Sequence, residues 1–269
     1  MSLIEVEKLN VWMKAGDHTV HAVKDASLTL QGGAQLAIVG ESGSGKSTLL
    51  MALMGLLPPN ATVAGRVIVD GVDVLEGPEG ALKALRWRTA AMVFQASANP
   101  LNPVRTVGHQ LERVLTFHGA TPSAARARTR ELFDMVRLPS GCIGYFPHQL
   151  SGGMRQRAVI ALALACRPKL LLADEPTTAL DPIVQAEIIE LILLLRNELN
   201  LALVLVSHDL ALIRRMEGDL AVMLSGEIVE YGPVRQLMEN PSHDHLRTLI
   251  AALPDFGPDV GRGRSLEMS

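Results

Sequence analysis

The sequence predicts an α/β fold in which a block of helices is inserted into a core of buried strands. Three observations carry this reading. Residues 36–39 are a short apolar run fit for a buried strand, and they pass through a glycine-rich loop into the apolar stretch 49–57. Residues 170–173 and 202–206 are two more such runs, separated by an amphipathic helical pattern over 183–199, which is the layout of a parallel crossover unit. From about 96 to 166 strand patterns stop, and helical ones occupy 107–118, 122–137 and 152–166.

The remaining elements follow in order. Residues 3–11 and 20–30 alternate apolar and polar around a turn-rich KAGDH, so two antiparallel strands are expected. The helix after the glycine loop should be stopped by Pro58 and Pro59. Residues 66–75 read as a strand pair around Asp70-Gly71, and 91–94 as a buried strand ending at Gln95, before a loop with Pro100 and Pro103. Residues 219–231 suggest a hairpin turned at Ser225-Gly226, and 237–253 two short helices broken at Asn240-Pro241. The expected layout is one domain over 1–254. Its α/β core, with an antiparallel part, covers about 1–95 and 167–232, a helical subdomain covers about 96–166, and a C-terminal helical segment covers 233–254. Residues 255–269 lack the apolar content to order themselves.

Composition narrows the function. The chain has 269 residues, a formal net charge of −3 and 48% hydrophobic residues, with 2 Trp, 2 Tyr and 5 Phe, so the core must be aliphatic. A collagen, a disordered tail and a polybasic nucleic-acid binder are excluded. Mean hydropathy is +0.23, yet the richest stretch, 188–206, is cut by Glu190, Arg196, Asn197, Glu198 and Asn200 and does not span a bilayer. Glu5 and Glu7 break any signal-peptide pattern, so a cytoplasmic location is expected. Cys142 and Cys166 lack paired spacing and read as structural thiols in a reducing compartment.

The chemistry lies in three places. Residues 40–47 (GESGSGKS) fit GxxxxGK[ST] between a strand and a helix, the context in which that pattern cradles phosphates. Glycines let backbone N–H groups converge on phosphate oxygens, Lys46 reaches the β- and γ-phosphates, and Ser47 offers its hydroxyl to Mg²⁺. Residues 170–175 (LLLADE) end a strand in two carboxylates: Asp174 is placed to hold Mg²⁺, and Glu175 to polarise an attacking water. Residues 150–157 (LSGGMRQR) put Ser-Gly-Gly ahead of a helix, either a second anion site or an ordinary capped helix.

With that third motif the sequence resembles the ATP-binding subunit of an ATP-binding cassette (ABC) transporter, a P-loop NTPase whose signature LSGGMRQR matches. The resemblance covers about residues 3–254. It implies head-to-tail pairing of two nucleotide domains, with ATP held between the phosphate loop of one (Gly40, Glu41, Ser42, Gly43, Ser44, Gly45, Lys46, Ser47, Thr48) and the signature of the other (Ser151, Gly152, Gly153). By the same transfer Gln95 is the loop glutamine that senses Mg²⁺ and water, Asp181 a contact residue across the dimer, and His208 the residue on the γ-phosphate. The surface of 96–150 becomes the candidate groove for a permease helix. Residues 93–110, GGMRQR and NPSHDHLRTLIAALP are similar to the oligopeptide, dipeptide and nickel uptake group. That implies import of a small peptide, nickel or metal chelate, through integral membrane permease subunits, with a second ATPase subunit, a binding protein acting indirectly, and attachment at the cytoplasmic face of the inner membrane. A heterodimer is implied, with a homodimer open.

The sequence departs from the family at two points and lacks an extension found in some relatives. The family stacks adenine on an aromatic near the first strand, where this chain offers Met13 with Trp12 beside it. His243-Asp244-His245 replaces the usual HPYT and reads as a solvated helix start, the alternative being a metal contact. The cysteine-rich C-terminal extension of some relatives is ruled out by the two lone cysteines. Two other classes compete with transport: a soluble ABC ATPase acting on nucleic acid or ribosomes, and a non-catalytic nucleotide switch. The first lacks a coiled-coil arm, a second cassette and a basic charge excess. The second is disfavoured by intact Lys46, Asp174, Glu175 and His208.

Overall fold

A computed structural model describes residues 2–95, 100–178 and 180–253. The tail expected over 255–269 lies outside them. The chain opens with a long hairpin, β1 (Ser2–Ala15) and β2 (His18–Gln31), turned by Gly16 and Asp17 with Gly16 at φ 60°. β4 (Ala61–Val69) and β5 (Val72–Asp73) complete a four-stranded antiparallel sheet in the order β2-β1-β4-β5. The second sheet has six strands in the order β10-β9-β3-β8-β7-β6: β3 (Gln35–Gly40), β6 (Ala90–Val93), β7 (Leu170–Asp174), β8 (Ala202–Val206), β9 (Asp219–Leu224) and β10 (Glu227–Pro233). All its pairings are parallel except that of the edge strand β10.

The parallel strands are buried on both faces, which is why their sequences are continuous apolar runs. Ala37, Val39, Leu171, Ala173, Leu203 and Leu205 point to one core, and Leu36, Ile38, Leu170, Leu172, Val204 and Val206 to the other. The first core is covered by helices α3 (Val107–Phe117), α4 (Pro122–Met135), α5 (Gly152–Ala163) and α6 (Pro182–Leu199). The second lies against the antiparallel sheet and α1 (Lys46–Leu53). Phe133 is the one aromatic among the largest fully buried side chains, so the core is aliphatic as composition requires. Each aliphatic side chain buried this way contributes roughly 1.5–3 kcal/mol over its exposed state.

Several expectations change. α1 ends well before Pro58: Gly55 adopts φ 60°, its N–H reaches Ala52 O at 3.0 Å and the Leu56 N–H reaches Met51 O at 2.9 Å, so a left-handed glycine cap stops the helix. A helix that periodicity did not suggest, α2 (Glu79–Arg88), follows Gly77-Pro78 and buries only Leu85; it is broken near its end, where Trp87 has φ 74°. A further short turn of helix, α7 (Leu210–Ile213), follows His208-Asp209, and α5 gives out three residues earlier than expected. The C-terminal segment forms α8 (Val234–Glu239) and α9 (Asp244–Ala251).

Candidate functional site

The carboxyl ends of β3, β6, β7 and β8 converge on one cleft of about 470 Å³, lined by the phosphate loop from Ser42 to Thr48 together with Gln95, Glu175 and His208. The loop needs glycine at defined points. Gly40 sits at φ 152° and a Cβ there would lie 2.1 Å from Met223 O; Gly45 sits at φ 98° and its Cβ would lie 2.1 Å from Ala22 O. The β9–β10 turn braces the loop from outside, since the Gly226 N–H donates to Ser44 O at 3.1 Å while Gly226 O accepts from the Lys24 N–H at 2.8 Å.

Lys46 is buried, with Nζ donating to Gly40 O at 2.9 Å and Glu41 O at 2.7 Å. Burial pulls its pKa below the usual lysine value, and the charges of Glu175 and Asp174 partly oppose this. Asp174, at the end of β7, is also buried, and its Oδ1 has no hydrogen-bond partner among the described residues. Burial, joined by the Glu175 charge, pushes its carboxyl above the usual range against the Ser47 hydroxyl and the charges of Lys46 and His208. An unpartnered carboxylate oxygen beside a serine hydroxyl is a hard-oxygen donor set, and it suits Mg²⁺.

Glu175 follows, with a left-handed backbone at φ 44°. Its Oε1 meets His208 Nε2; its Oε2 accepts from Gln95 Nε2 at 3.2 Å and from Thr178 Oγ1 at 3.1 Å. The three residues expected to act on water and γ-phosphate are thus joined through one carboxylate. Thr178, which also donates to the Glu175 backbone carbonyl at 3.2 Å, was missed; its only sequence signal is its place three residues after Glu175. Asp209, next in the chain, is itself fixed: its N–H reaches Ser207 Oγ and its carboxylate caps α7 through Leu212 N–H.

Ser151, Gly152, Gly153 and Asp181 do not line this cleft. Ser151 caps α5 through Met154 N–H and Asp181 caps α6 through Val184 N–H. The two glycines pack tightly on that second turn: a Cβ on Gly153 would lie 2.6 Å from Val184 Cγ1, and one on Gly152 3.0 Å from Leu180 Cδ2. Met13 and Trp12 do not line the cleft either, whereas His21 does. The His21 ring stacks on Trp12, centroids 4.6 Å apart and planes at 18°, and its Nε2 bonds Asn10 Oδ1 at 2.9 Å.

A second, apolar cleft of about 260 Å³ lies behind Gln95, lined by Leu56, Trp87, Phe94, Pro100, Val159 and Leu162 among others. It sits at the seam between the sheet and the helical block, so the groove expected over 96–150 shares only Pro100 with it. At the C-terminus residues 243–245 do start a helix, with His243 as its cap and Asp244 in solvent, and only His245 departs from the solvated reading, keeping 10% of its side chain exposed. Among the described residues no group of three or more metal-ligating side chains occurs, and no helix is long and apolar enough to cross a membrane.

Comparison with known proteins identifies the family. The model of the family described as ABC transporter matches residues 23–178, and a second, described as AAA domain, putative AbiEii toxin, Type IV TA system, matches 147–214. An oligopeptide transport ATP-binding protein OppD of Haemophilus influenzae is 43% identical over 94% of this chain and 79% of its own. A dipeptide transport ATP-binding protein DppD of Escherichia coli is 42% identical over 99% of this chain and 83% of its own. A glutathione import ATP-binding protein GsiA of the same species is 39% identical over 96% of this chain and 43% of its own. Among solved structures, a dimeric post-hydrolysis state of the ATP-binding cassette MJ0796 with ADP and Pi shares a TM-score of 0.76 and 31% identity, over 86% of this chain and 99% of that one.

Proposed function

Because this chain belongs to the ABC transporter family of ATP-binding proteins, we propose that it drives uptake of a small peptide through a membrane permease, as one of a pair of ATPase subunits. It is an ATPase of an ABC import system. The observation that carries the reading is the meeting of Gln95, Glu175 and His208 over the phosphate loop, while the signature Ser151–Gly153 lies elsewhere on the same chain. A signature outside its own cleft is free to close the cleft of a second cassette. Asp181 stands beside it, across that junction. Residues 96–166 serve as the signature subdomain, and the apolar cleft behind Gln95 as the seat of a permease helix at the cytoplasmic face of the membrane. The relatives are import subunits, which disfavours action on nucleic acid or ribosomes.

Hydrolysis is an in-line attack of water on the γ-phosphorus. Phosphate oxygens take the N–H groups of residues 43–48 and the Lys46 ammonium. Ser47 and Asp174, with Gln95 beyond them, are the oxygen donors for Mg²⁺, which neutralises charge on the β- and γ-phosphates when bound. His208 is half exposed and turns from Glu175 to the γ-phosphate, so that Glu175 Oε1 is released to take the hydrogen bond of the attacking water. Gln95 and Thr178 keep the other carboxylate oxygen fixed meanwhile. The His21 ring, backed by Trp12, is the platform for the adenine base in place of Met13.

The test is gentle solubilisation of native membranes, capture of this subunit and identification of co-purifying chains. Two multi-span permeases and a second ATPase are expected, with the substrate then found by screening peptides against their binding protein. Recovery of soluble partners alone overturns the transport reading and leaves the ATPase chemistry intact.

A further inference from the structure

His245 is a buried side chain the mechanism does not use. Its position is set by a chain of contacts that begins on the edge strand. Glu230 of β10, itself buried, accepts the Ser242 N–H at 2.7 Å on Oε1 and the His243 N–H at 3.1 Å on Oε2. That fixes the turn before α9. His243 Nδ1 then accepts the His245 N–H at 3.1 Å and caps the helix, while Leu246, fully buried, locks α9 into the core. The result is a His245 imidazole whose Nδ1 lies 3.9 Å from Oε1 of Glu41, and whose Nε2 is buried without a partner among the described residues.

Glu41 belongs to the phosphate loop, and its backbone carbonyl takes both the Lys46 ammonium at 2.7 Å and the Ser44 N–H at 3.2 Å. Its side chain is otherwise largely in solvent. A carboxylate accepts and does not donate, so Nδ1 is the ring nitrogen placed to donate toward Glu41. At 3.9 Å the contact is electrostatic and longer than a hydrogen bond.

We propose that His245 is a positioning residue for the phosphate loop: through the Glu41 carboxylate it ties the backbone that holds Lys46 to the C-terminal helix, so ATP affinity depends on how that helix is seated. The proposal rests on the phosphate loop being the ATP site, and Lys46→Ala tests that separately. If Lys46→Ala leaves ATP binding intact, the site reading itself fails.

The experiment is a double-mutant cycle in the full chain, read as the Kd of a fluorescent ATP analogue, with turnover measured in the assembled transporter. His245→Ala should weaken binding about three- to tenfold, the lower part of the range of couplings between residues in contact, with kcat at saturating ATP within about twofold. His245→Gln, which keeps a donor, should recover most of the affinity. In a Glu41→Gln background His245→Ala should add little. Additive losses, or an unchanged Kd in His245→Ala, overturn the proposal. If His245→Ala does not fold, the comparison of His245→Gln with the exposed Glu41→Gln decides: equal Kd values in both variants and wild type overturn it equally.

Discussion

The imidazole of His208 and the carboxylate of Glu175 touch across the mouth of the phosphate cleft, Nε2 to Oε1. The same carboxylate holds Gln95 and Thr178 through its other oxygen. Replacing Glu175 by Gln keeps the shape and the Thr178 bond but removes the charge that polarises water. Turnover should fall by about 10² to 10⁴, the usual worth of a general base, while ATP binding persists. Phosphate release from the assembled transporter, set beside ATP binding by the same variant, checks this; undiminished turnover removes Glu175 from the role.

Asp174 gives a prediction of the opposite sign to that of most carboxylates. Burial and the Glu175 charge raise its pKa in the fold, so the folded protein binds this proton more tightly than the unfolded chain does. Stability therefore drops as pH rises from the ordinary aspartate range through the raised value, and at neutral pH the ionised group destabilises the protein in the absence of Mg²⁺. Asp174→Asn should raise the Tm at pH 7 by a few degrees, about what 1 kcal/mol gives in a chain of this size. Mg²⁺ with ATP should raise the wild-type Tm more than that of the variant. A scan in which Asp174→Asn melts lower than wild type, without ligand, contradicts the sign.

Two of the three glycines of the phosphate loop separate backbone strain from collision. Gly43 and Gly45 have φ of 80° and 98°, so alanine at either costs about 1–2 kcal/mol of left-handed strain. Only at Gly45 does the new Cβ strike backbone, Ala22 O at 2.1 Å, whereas nothing lies within 4 Å at Gly43. Gly45→Ala should cost a further 1–3 kcal/mol, roughly the cost of overpacking. Urea unfolding of both variants measures the difference; equal midpoints would mean that the loop yields to the methyl group.

What the sequence could and could not reveal divides along physical lines. Residues 40–48, 170–175 and 202–208 were legible because phosphate binding needs glycines, a lysine and a strand end in fixed local order, and buried parallel strands need unbroken apolar runs. The stop of α1 at Gly55 was misplaced onto Pro58, since a left-handed cap needs one glycine and leaves no periodicity to read. α2 was missed because a helix that buries only Leu85 has no apolar face. His21 and the burial of His245 depend on pairings between distant segments, and no local pattern encodes which side chain another strand or helix will bring alongside; Thr178 is local to Glu175, but a threonine three residues on carries no pattern of its own.

His21 shows this most clearly, and its role can be tested directly. Trp12 and His21 are partners across β1 and β2, which places their rings on the same face of the hairpin. Asn10 Oδ1 accepts both the Asp25 N–H at 3.1 Å and His21 Nε2 at 2.9 Å, and Asn10 Nδ2 donates to Lys8 O. That assigns Oδ1 as the acceptor, so His21 Nε2 is the donor of this bond. The ring is thus fixed in plane by the Asn10 bond and in tilt by the indole, as a stacking platform must be. Such a platform is worth about 0.5–1.5 kcal/mol beyond area burial, so His21→Ala should weaken ATP binding about two- to tenfold with kcat unchanged at saturation. His21→Phe should restore the stacking. Trp12→Ala, which removes the backing and leaves the platform, should have the smaller effect. If His21→Ala binds ATP as wild type does while Met13→Ala does not, the base rests on Met13 instead.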